Sequence, residues 1–367
     1  MPTFRYANPP VIHWGAGCVR EHLQEELRSL GIRRALLVTT RSVAADERLA
    51  PAVEAILGDR LAARFAGIGQ HAPAHSIMEA VEAARAARAD GLVSVGGGSP
   101  IDAAKAVAFS LATGQDLRAP DAPARARGAR LDGILPHLAI PTTLSVAELS
   151  ASAGFSAEET REKVGVAAPE LRPAAVLYDA ELAVHTPPSL WLSTGMRAVD
   201  HAVETLLSPG EHPLPDAVAE EGLRRLRAGL LAAQARPDDP GPRTDCQLGA
   251  WFSYLLPSAA SRGLSHTLGK RLGSRHGIPH GVTSCLLLPH VLRILAPRAP
   301  GAAGRIAAAL GGRDAAEAVA QLVAELELPC HLSAWKLSDA DLAEAVRPVA
   351  SAEHPPAELL AILRAAL

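Results

Sequence analysis

Up to about Asp179 this chain alternates short apolar runs with stretches of helical period, and beyond that point the β-type runs stop. That change of pattern constrains the fold more than any other feature, because the period of the apolar residues decides which element a segment can form. Candidate strands are residues 11–14, 35–40, 64–68, 92–95, 137–141 and 175–178. Between them lie amphipathic stretches such as 75–88, where Ile77, Val81 and Ala84 recur at helical spacing. Such alternation predicts a mainly parallel sheet covered by helices on both faces. From Pro188 onward the segments read as helix only: 189–207, 215–235, 245–262, 282–295, 302–310, 315–326 and 357–367. With 367 residues, 48% of them hydrophobic, the chain is long enough for two cores. The expected organisation is an α/β domain over 1–185 followed by an all-α domain over 186–367. Residues 114–133 and 236–243, rich in Pro, Asp and Arg, read as exposed loops.

The stretch VSVGGGSPIDAAKAVA, residues 93–108, sits where one candidate strand gives way to a helix. Gly96, Gly97 and Gly98 let the backbone turn tightly and approach a ligand without Cβ obstruction, while Ser99, Pro100 and Asp102 read as a helix start. An anion placed there meets free N–H groups and the positive end of the helix, which is how a chain holds a phosphate. GGGS is not GxGxxG, and a glycine turn of this kind also serves as no more than a tight turn.

The remaining composition narrows the function classes. A net charge of −3 gives no basic footprint, and there is neither an aromatic-basic RNA motif nor a Cys/His finger, so no nucleic-acid partner is expected. No apolar run reaches spanning length, and the opening MPTFRYANPP lacks the apolar region of a signal peptide, so no membrane association is expected. Cys18, Cys246, Cys285 and Cys330 are scattered without a CxxC pair, as small buried hydrophobes of a reducing cytoplasm would be. Of 36 basic residues only Lys105, Lys163, Lys270 and Lys336 are lysines. Where lysine survives in an arginine-rich chain, its compact charge and movable pKa become candidates for a role.

Four further segments join the glycine turn: Gly15-Ala16-Gly17 before the first helix, Ile140-Pro141-Thr142-Thr143 at a strand end, GMRAVDHAVE from Gly195 to Glu204, and HTLGKRLGSRHGIPHG from His266 to Gly281. With five motifs in order over nearly its whole length, the chain resembles the iron-containing alcohol dehydrogenase superfamily. Within it the chain is most similar to the maleylacetate reductase branch, on His71-Ala72-Pro73 and on the short segment Leu144-Ser145-Val146-Ala147-Glu148. The resemblance implies a Rossmann-like dinucleotide-binding domain, an all-helical second domain, an NAD or NADP cofactor and a homodimer. By the same analogy Gly96, Gly97, Gly98 and Ser99 cradle the pyrophosphate, Asp102 supports their loop, and Thr142 and Thr143 line the nicotinamide side. At the end of the second strand many relatives carry an Asp that suits a ribose 2′-OH, whereas this chain has Thr39-Thr40-Arg41. With Thr40 in place of a carboxylate and a cation beside it, NADP(H) is not excluded, although Arg41 is equally readable as a solvated side chain.

The same resemblance exposes a break. Metal-dependent members hold a divalent ion with one aspartate and three histidines, of which the histidines map onto His201, His266 and His280. The aspartate's position is occupied by Arg197. A guanidinium cannot ligate a cation and does not deprotonate, so no metal ligand set is expected here. Four residues after His266, where relatives commonly carry another histidine, stands Lys270. Asp200 adjoins His201 but points about 100° away from it on a helix, and Glu204 reads as a supporting partner. The leading expectation is a metal-independent NAD(P)H-dependent reductase of a small, carboxylate-bearing oxo acid or carbonyl compound. Arg197 and Lys270 would grip the carboxylate or steady a developing alkoxide, and His266 or His280 would donate the proton. The alternatives are a same-fold lyase, cyclase or transient-redox enzyme resembling dehydroquinate synthase, and a binding protein without catalysis.

Overall fold

The computed structural model describes residues 7–119, 121–122, 131–157, 163–210, 212–255 and 263–367. Its described residues group into two compact units, 8–186 and, with Ala7, 187–367.

The first unit is built on a six-stranded parallel sheet of β1 (Val11–Trp14), β2 (Ala35–Val38), β3 (Leu61–Phe65), β4 (Gly91–Gly96), β5 (His137–Pro141) and β8 (Ala175–Tyr178). Their order across the sheet is β1-β8-β5-β4-β2-β3. Successive side chains of a strand point to opposite faces, and both faces are apolar here. Leu37, Val93 and Val95 join Leu23 and Leu27 of α1 (Cys18–Ser29), together with Val53 and Leu57 of α3 (Leu49–Leu57). Leu36, Val38 and Leu92 join Ile77 and Val81 of α4 (Ala74–Ala86) and Val107 of α5 (Gly98–Thr113). Between β2 and α3 lies the short α2 (Arg41–Ala45).

The strand expected at 64–68 runs three residues earlier. It pairs with β2 across a register irregularity at Ala35/Leu36, and Gly67 and Gly69 follow its end. The strand expected to reach residue 40 stops at Val38, because Thr40 starts a helix instead. An antiparallel pair, β6 (Ser152–Ser156) and β7 (Lys163–Ala167), was not expected; its alternation buries Ala153 and Phe155 against the α4/α5 side of the core. Of the loop read at 114–133, residues 120 and 123–130 lie outside the described residues.

After the single-turn α6 (Ala180–Ala183), the regular elements among the described residues of the second unit are all helical: α7 (Pro188–Leu207), α8 (Pro213–Ala235), α9 (Pro240–Ser253), α10 (Leu264–His276), α11 (His280–Leu295), α12 (Pro300–Ala309), α13 (Ala315–Glu325), α14 (Asp339–Val346) and α15 (Pro356–Ala365). Proline opens α7, α8, α9, α12 and α15, where its missing N–H costs nothing and its fixed φ suits a first turn. α7 is buried along most of its length, and a Cβ on its Gly195 would collide with the side chain of Leu230 on α8. The segment expected as an exposed loop at 236–243 is in part the start of α9. Pro240 sets the first turn, Asp239 accepts from the N–H of Gly241, and Arg243 is buried against the Trp191 ring, 4.4 Å from its centroid. The helix read at 245–262 therefore begins earlier and ends at Ser253, with 256–262 outside the described residues. Among the described residues, no helix is long and apolar enough to cross a membrane.

Candidate active site

Parallel strands deliver their C-terminal ends to one edge of the sheet, and the residues read as dinucleotide-binding lie there. β4 ends at Gly96, whose φ of 133° is one that L side chains rarely adopt. Gly97 is extended and caps α5, which Gly98 opens. A Cβ on Gly97 would stand 3.2 Å from both Cγ2 and Oγ1 of Thr143, and one on Gly98 would stand 3.2 Å from Oγ of Ser145. Those two hydroxyl oxygens, Thr143 Oγ1 and Ser145 Oγ, are buried without a hydrogen-bond partner. A cradle free of Cβ atoms, the unpaired N–H groups of a helix first turn and two orphaned hydroxyls fit a dinucleotide. Ser145 carries as much of that fit as Thr143, and sequence reading had used it only as a family marker.

The other predicted residues surround this turn in different ways. The Thr142 N–H donates to the Gly96 carbonyl at 2.9 Å, and the Thr142 carbonyl accepts from Thr186 Oγ1. Ser99 Oγ accepts from the N–H of His71 at 3.0 Å. His71 and Ala72 both sit at positive φ, 63° and 48°, so a strained turn is spent on meeting the glycine helix. Thr40 Oγ1 accepts from the Val43 N–H and caps α2, and Val43 lies 3.5 Å from the Cβ position of Gly96. Arg41 is exposed. Asp102 Oδ1 lies 3.6 Å from Lys105 Nζ.

Lys105 turns out to be fully buried. Its three ammonium donors reach the Ala147 carbonyl at 2.5 Å, Ser150 Oγ at 3.0 Å and the Ser152 carbonyl at 2.9 Å, clipping the segment after Ser145 to the glycine helix. Burial lowers the Lys105 pKa, partly offset by Asp102 and Glu148. Glu148, also fully buried, accepts from Tyr178 Oη at 2.7 Å through Oε1, while Oε2 has no partner. Desolvation pushes its pKa up to about 7.

In the second unit, α7 and α10 bring Arg197, His201 and His266 together. Arg197 and His201 lie one turn apart on α7 and are both buried. Arg197 Nη2 stands 2.5 and 2.8 Å from the two ring nitrogens of His266 on α10. A neutral imidazole offers one lone pair, so the nitrogen that accepts from this guanidinium carries no proton. The His201 ring is 5.4 Å from the His266 ring and packs edge-on to Tyr254 at 5.1 Å. Arg197 Nη1 donates to Ser284 Oγ of α11 at 3.1 Å and to Asp200 Oδ2 at 3.3 Å. Glu204, one turn beyond His201, accepts from the His266 N–H at 2.9 Å. Burial, reinforced by the Asp200 charge, pushes the Glu204 pKa up to about 8.

Donor atoms of His201, Glu204 and His266 lie within 4.8 Å of one another, a spacing a metal ion could bridge. The donor set nevertheless does not fit a divalent cation, because a permanent cation, the Arg197 guanidinium, already stands against the ring nitrogens of His266. His280, grouped with the other two histidines from sequence, opens α11 with its ring against Gly273, and its ligand atom is not part of that close set. Lys270 is half-buried one turn after His266 on α10. Glu204 was expected as a supporting partner, whereas Asp200 was discounted for its direction on the helix, although an Arg and an Asp three apart on one helix is itself a pairing signal.

The chain is similar to known proteins over most of its length. The family model described as iron-containing alcohol dehydrogenase matches residues 9–180, and that of the family's C-terminal part matches 191–359. Maleylacetate reductase 2 of Cupriavidus pinatubonensis is 34% identical over 323 residues, 88% of this chain and 82% of that protein. Maleylacetate reductase of Rhizobium sp. strain MTP-10005 is 32% identical over 343 residues, 93% of this chain and 90% of that protein. The crystal structure of maleylacetate reductase from Agrobacterium tumefaciens superposes with a TM-score of 0.84 at 30% identity, covering 100% of this chain and 99% of that one.

Proposed function

Since this chain belongs to the iron-containing alcohol dehydrogenase family of oxidoreductases, we propose that it is an NAD(P)H-dependent reductase of a small oxo acid of the maleylacetate type, working without a metal ion. The observation that carries the reading is the Arg197 guanidinium seated against His266, a fixed cation among side chains that would otherwise suit a metal. The glycine turn, with Thr143 and Ser145, holds the dinucleotide in this reading, and when bound the reduced nicotinamide supplies a hydride. Arg197 offers the substrate carboxylate, or an oxyanion developing on the carbonyl, a charge that needs no deprotonation equilibrium. Lys270 adds a second cation from the same helix as His266. The proton that balances the hydride across the C=C or C=O bond falls to a ring N–H of His201 or His266, which lie side by side.

The test pairs kinetics with elemental analysis. Purified protein is expected to oxidise NADH or NADPH steadily with maleylacetate, to contain no stoichiometric Fe or Zn, and to keep its activity in chelator. One tightly bound ion per chain, lost together with activity on chelation, would overturn the metal-independent reading. Absence of net dinucleotide oxidation would return the chain to the same-fold enzymes that perform no net redox chemistry.

A further inference from the structure

Asp200 is fully buried, and one of its oxygens is the meeting point of three helices. Its Oδ2 accepts from Arg197 Nη1 of its own helix at 3.3 Å, from Ser265 Oγ of α10 at 3.0 Å and from Ser284 Oγ of α11 at 2.7 Å. Ser284 Oγ also accepts from Arg197 Nη1, at 3.1 Å, so guanidinium, hydroxyl and carboxylate close a triangle. Asp200 Oδ1, by contrast, is buried without a partner. A carboxylate kept only to staple helices would gain by sharing its donors between both oxygens, because an orphaned buried acceptor costs stability. Here every donor converges on the oxygen that touches Arg197.

We propose that Asp200 is a positioning residue, which with Ser265 and Ser284 fixes Arg197 as the resident cation of the site. An arginine side chain has many rotamers and loses them only to a geometry that holds it. With Nη1 tied to Asp200 and Ser284, Nη2 is left pointing at His266. The pairing also solves the burial of both charges: either alone would be an uncompensated ion, whereas together they are neutral. The two residues are therefore one device, and removing either removes the fixed cation. This inference rests on the reading of Arg197 as a substitute for a metal ion, and it makes two predictions that a purely structural carboxylate does not.

The first is coupling. Asp200→Asn keeps the size and can still accept from both serines, so the helices stay stapled while the charge that holds Arg197 is lost. In steady-state assays with maleylacetate and NAD(P)H, Asp200→Asn is expected to lower kcat by about 30-fold with the dinucleotide KM unchanged, since misaimed charge is costly in a preorganised site. Arg197→Ala should lower it at least as much, and the double variant should be no worse than Arg197→Ala alone. Unchanged kcat in Asp200→Asn, or losses that multiply in the double variant, would overturn the proposal.

The second prediction needs no substrate. Arg197→Ala leaves Asp200 without its counter-charge close to His266, and this variant is expected to bind one Co²⁺ per chain, read from the visible absorption of the ion. Wild-type protein is expected to bind none. Co²⁺ binding by the wild type, or none by a folded Arg197→Ala, would overturn the proposal. Should Arg197→Ala fail to fold, Arg197→Gln takes its place in both arms. Failure of maleylacetate as a substrate would remove the proposed activity and leave the Co²⁺ titration to decide the pairing by itself.

Discussion

Replacing Glu148 by Gln is expected to stabilise this protein at pH 8 and to leave its stability at pH 4.5 almost unchanged. Glu148 is fully buried, Tyr178 Oη donates to its Oε1 at 2.7 Å, and Oε2 has no partner. Lys105 gives its three ammonium hydrogens to Ala147, Ser150 and Ser152, so it contributes an attractive field to Glu148 and no hydrogen bond. Desolvation outweighs that field and raises the pKa from 4.5 to about 7. An acid raised in this way is protonated in the folded state while still ionised in the unfolded one. Its stabilising effect is therefore full below about pH 4.5, falls as pH rises and is gone above about pH 7. At about 1.36 kcal/mol per pH unit the interval amounts to about 3 kcal/mol, which is the advantage a neutral amide keeps at pH 8. Gln retains the acceptor for Tyr178 and exchanges one unpartnered polar group for another. For a unit of this size about 3 kcal/mol corresponds to roughly 6–12 °C in Tm. Thermal unfolding of both proteins at pH 4.5, 6, 7 and 8 measures the difference, and the slope that persists in the variant includes Glu204, raised to about 8, and Asp200, which burial also raises. A variant that loses stability at pH 8 as well would mean that Glu148 works ionised, as the counter-charge of Lys105, and the reasoning from desolvation would fail.

Two further perturbations test the dinucleotide site. Gly97→Val places a branched side chain where a Cβ alone already stands 3.2 Å from Thr143, so NAD(P)H affinity measured by calorimetry should fall by about tenfold or more while the fold persists. Unchanged affinity in a folded variant would remove the glycine turn from the cofactor site. Thr40→Asp keeps an N-cap acceptor for the Val43 N–H and adds a negative charge, so the ratio of NADPH to NADH affinity should drop by about tenfold. An unaltered ratio would show that the end of β2 does not select the cofactor.

Most of the architecture was legible because it rests on local periodicity. β1, β5 and β8 run over the expected residues, and α7 starts one residue from expectation, since a sheet buried on both faces leaves continuous apolar runs and proline marks helix starts. The β6/β7 pair was missed because Ser152, Gly154 and Gly165 dilute its alternation to a few apolar residues. The 236–243 segment was misread from composition: Pro and Asp there are the first turn and cap of α9, and buried Arg243 is stabilised by the Trp191 face, a contact sequence spacing does not reveal. The candidate site divides in the same way. Motifs pointed to Arg197, His201 and His266, whereas Asp200, Ser265 and Ser284 act through contacts between helices that are far apart in sequence. Ser145 was visible in the sequence, but its significance comes from lying 3.2 Å from where a Gly98 Cβ would be, with no other partner.

An internal cation changes what such a site can respond to. A metal ion is exchangeable, and its affinity falls with pH as its histidine ligands take up protons. A guanidinium stays charged throughout the working range and cannot leave, so the charge presented at His266 is set by side-chain geometry alone. Holding that geometry consumes the neighbours: Asp200 balances the charge, and Ser265 and Ser284 fix the carboxylate from two other helices. Burial raises the Asp200 carboxyl despite the Arg197 charge, and it pushes Glu204, which accepts from the His266 backbone, up to about 8. In this reading pH acts on the buried carboxyls of the second unit while the guanidinium charge stays constant, a separation that an arginine permits and a bound metal does not.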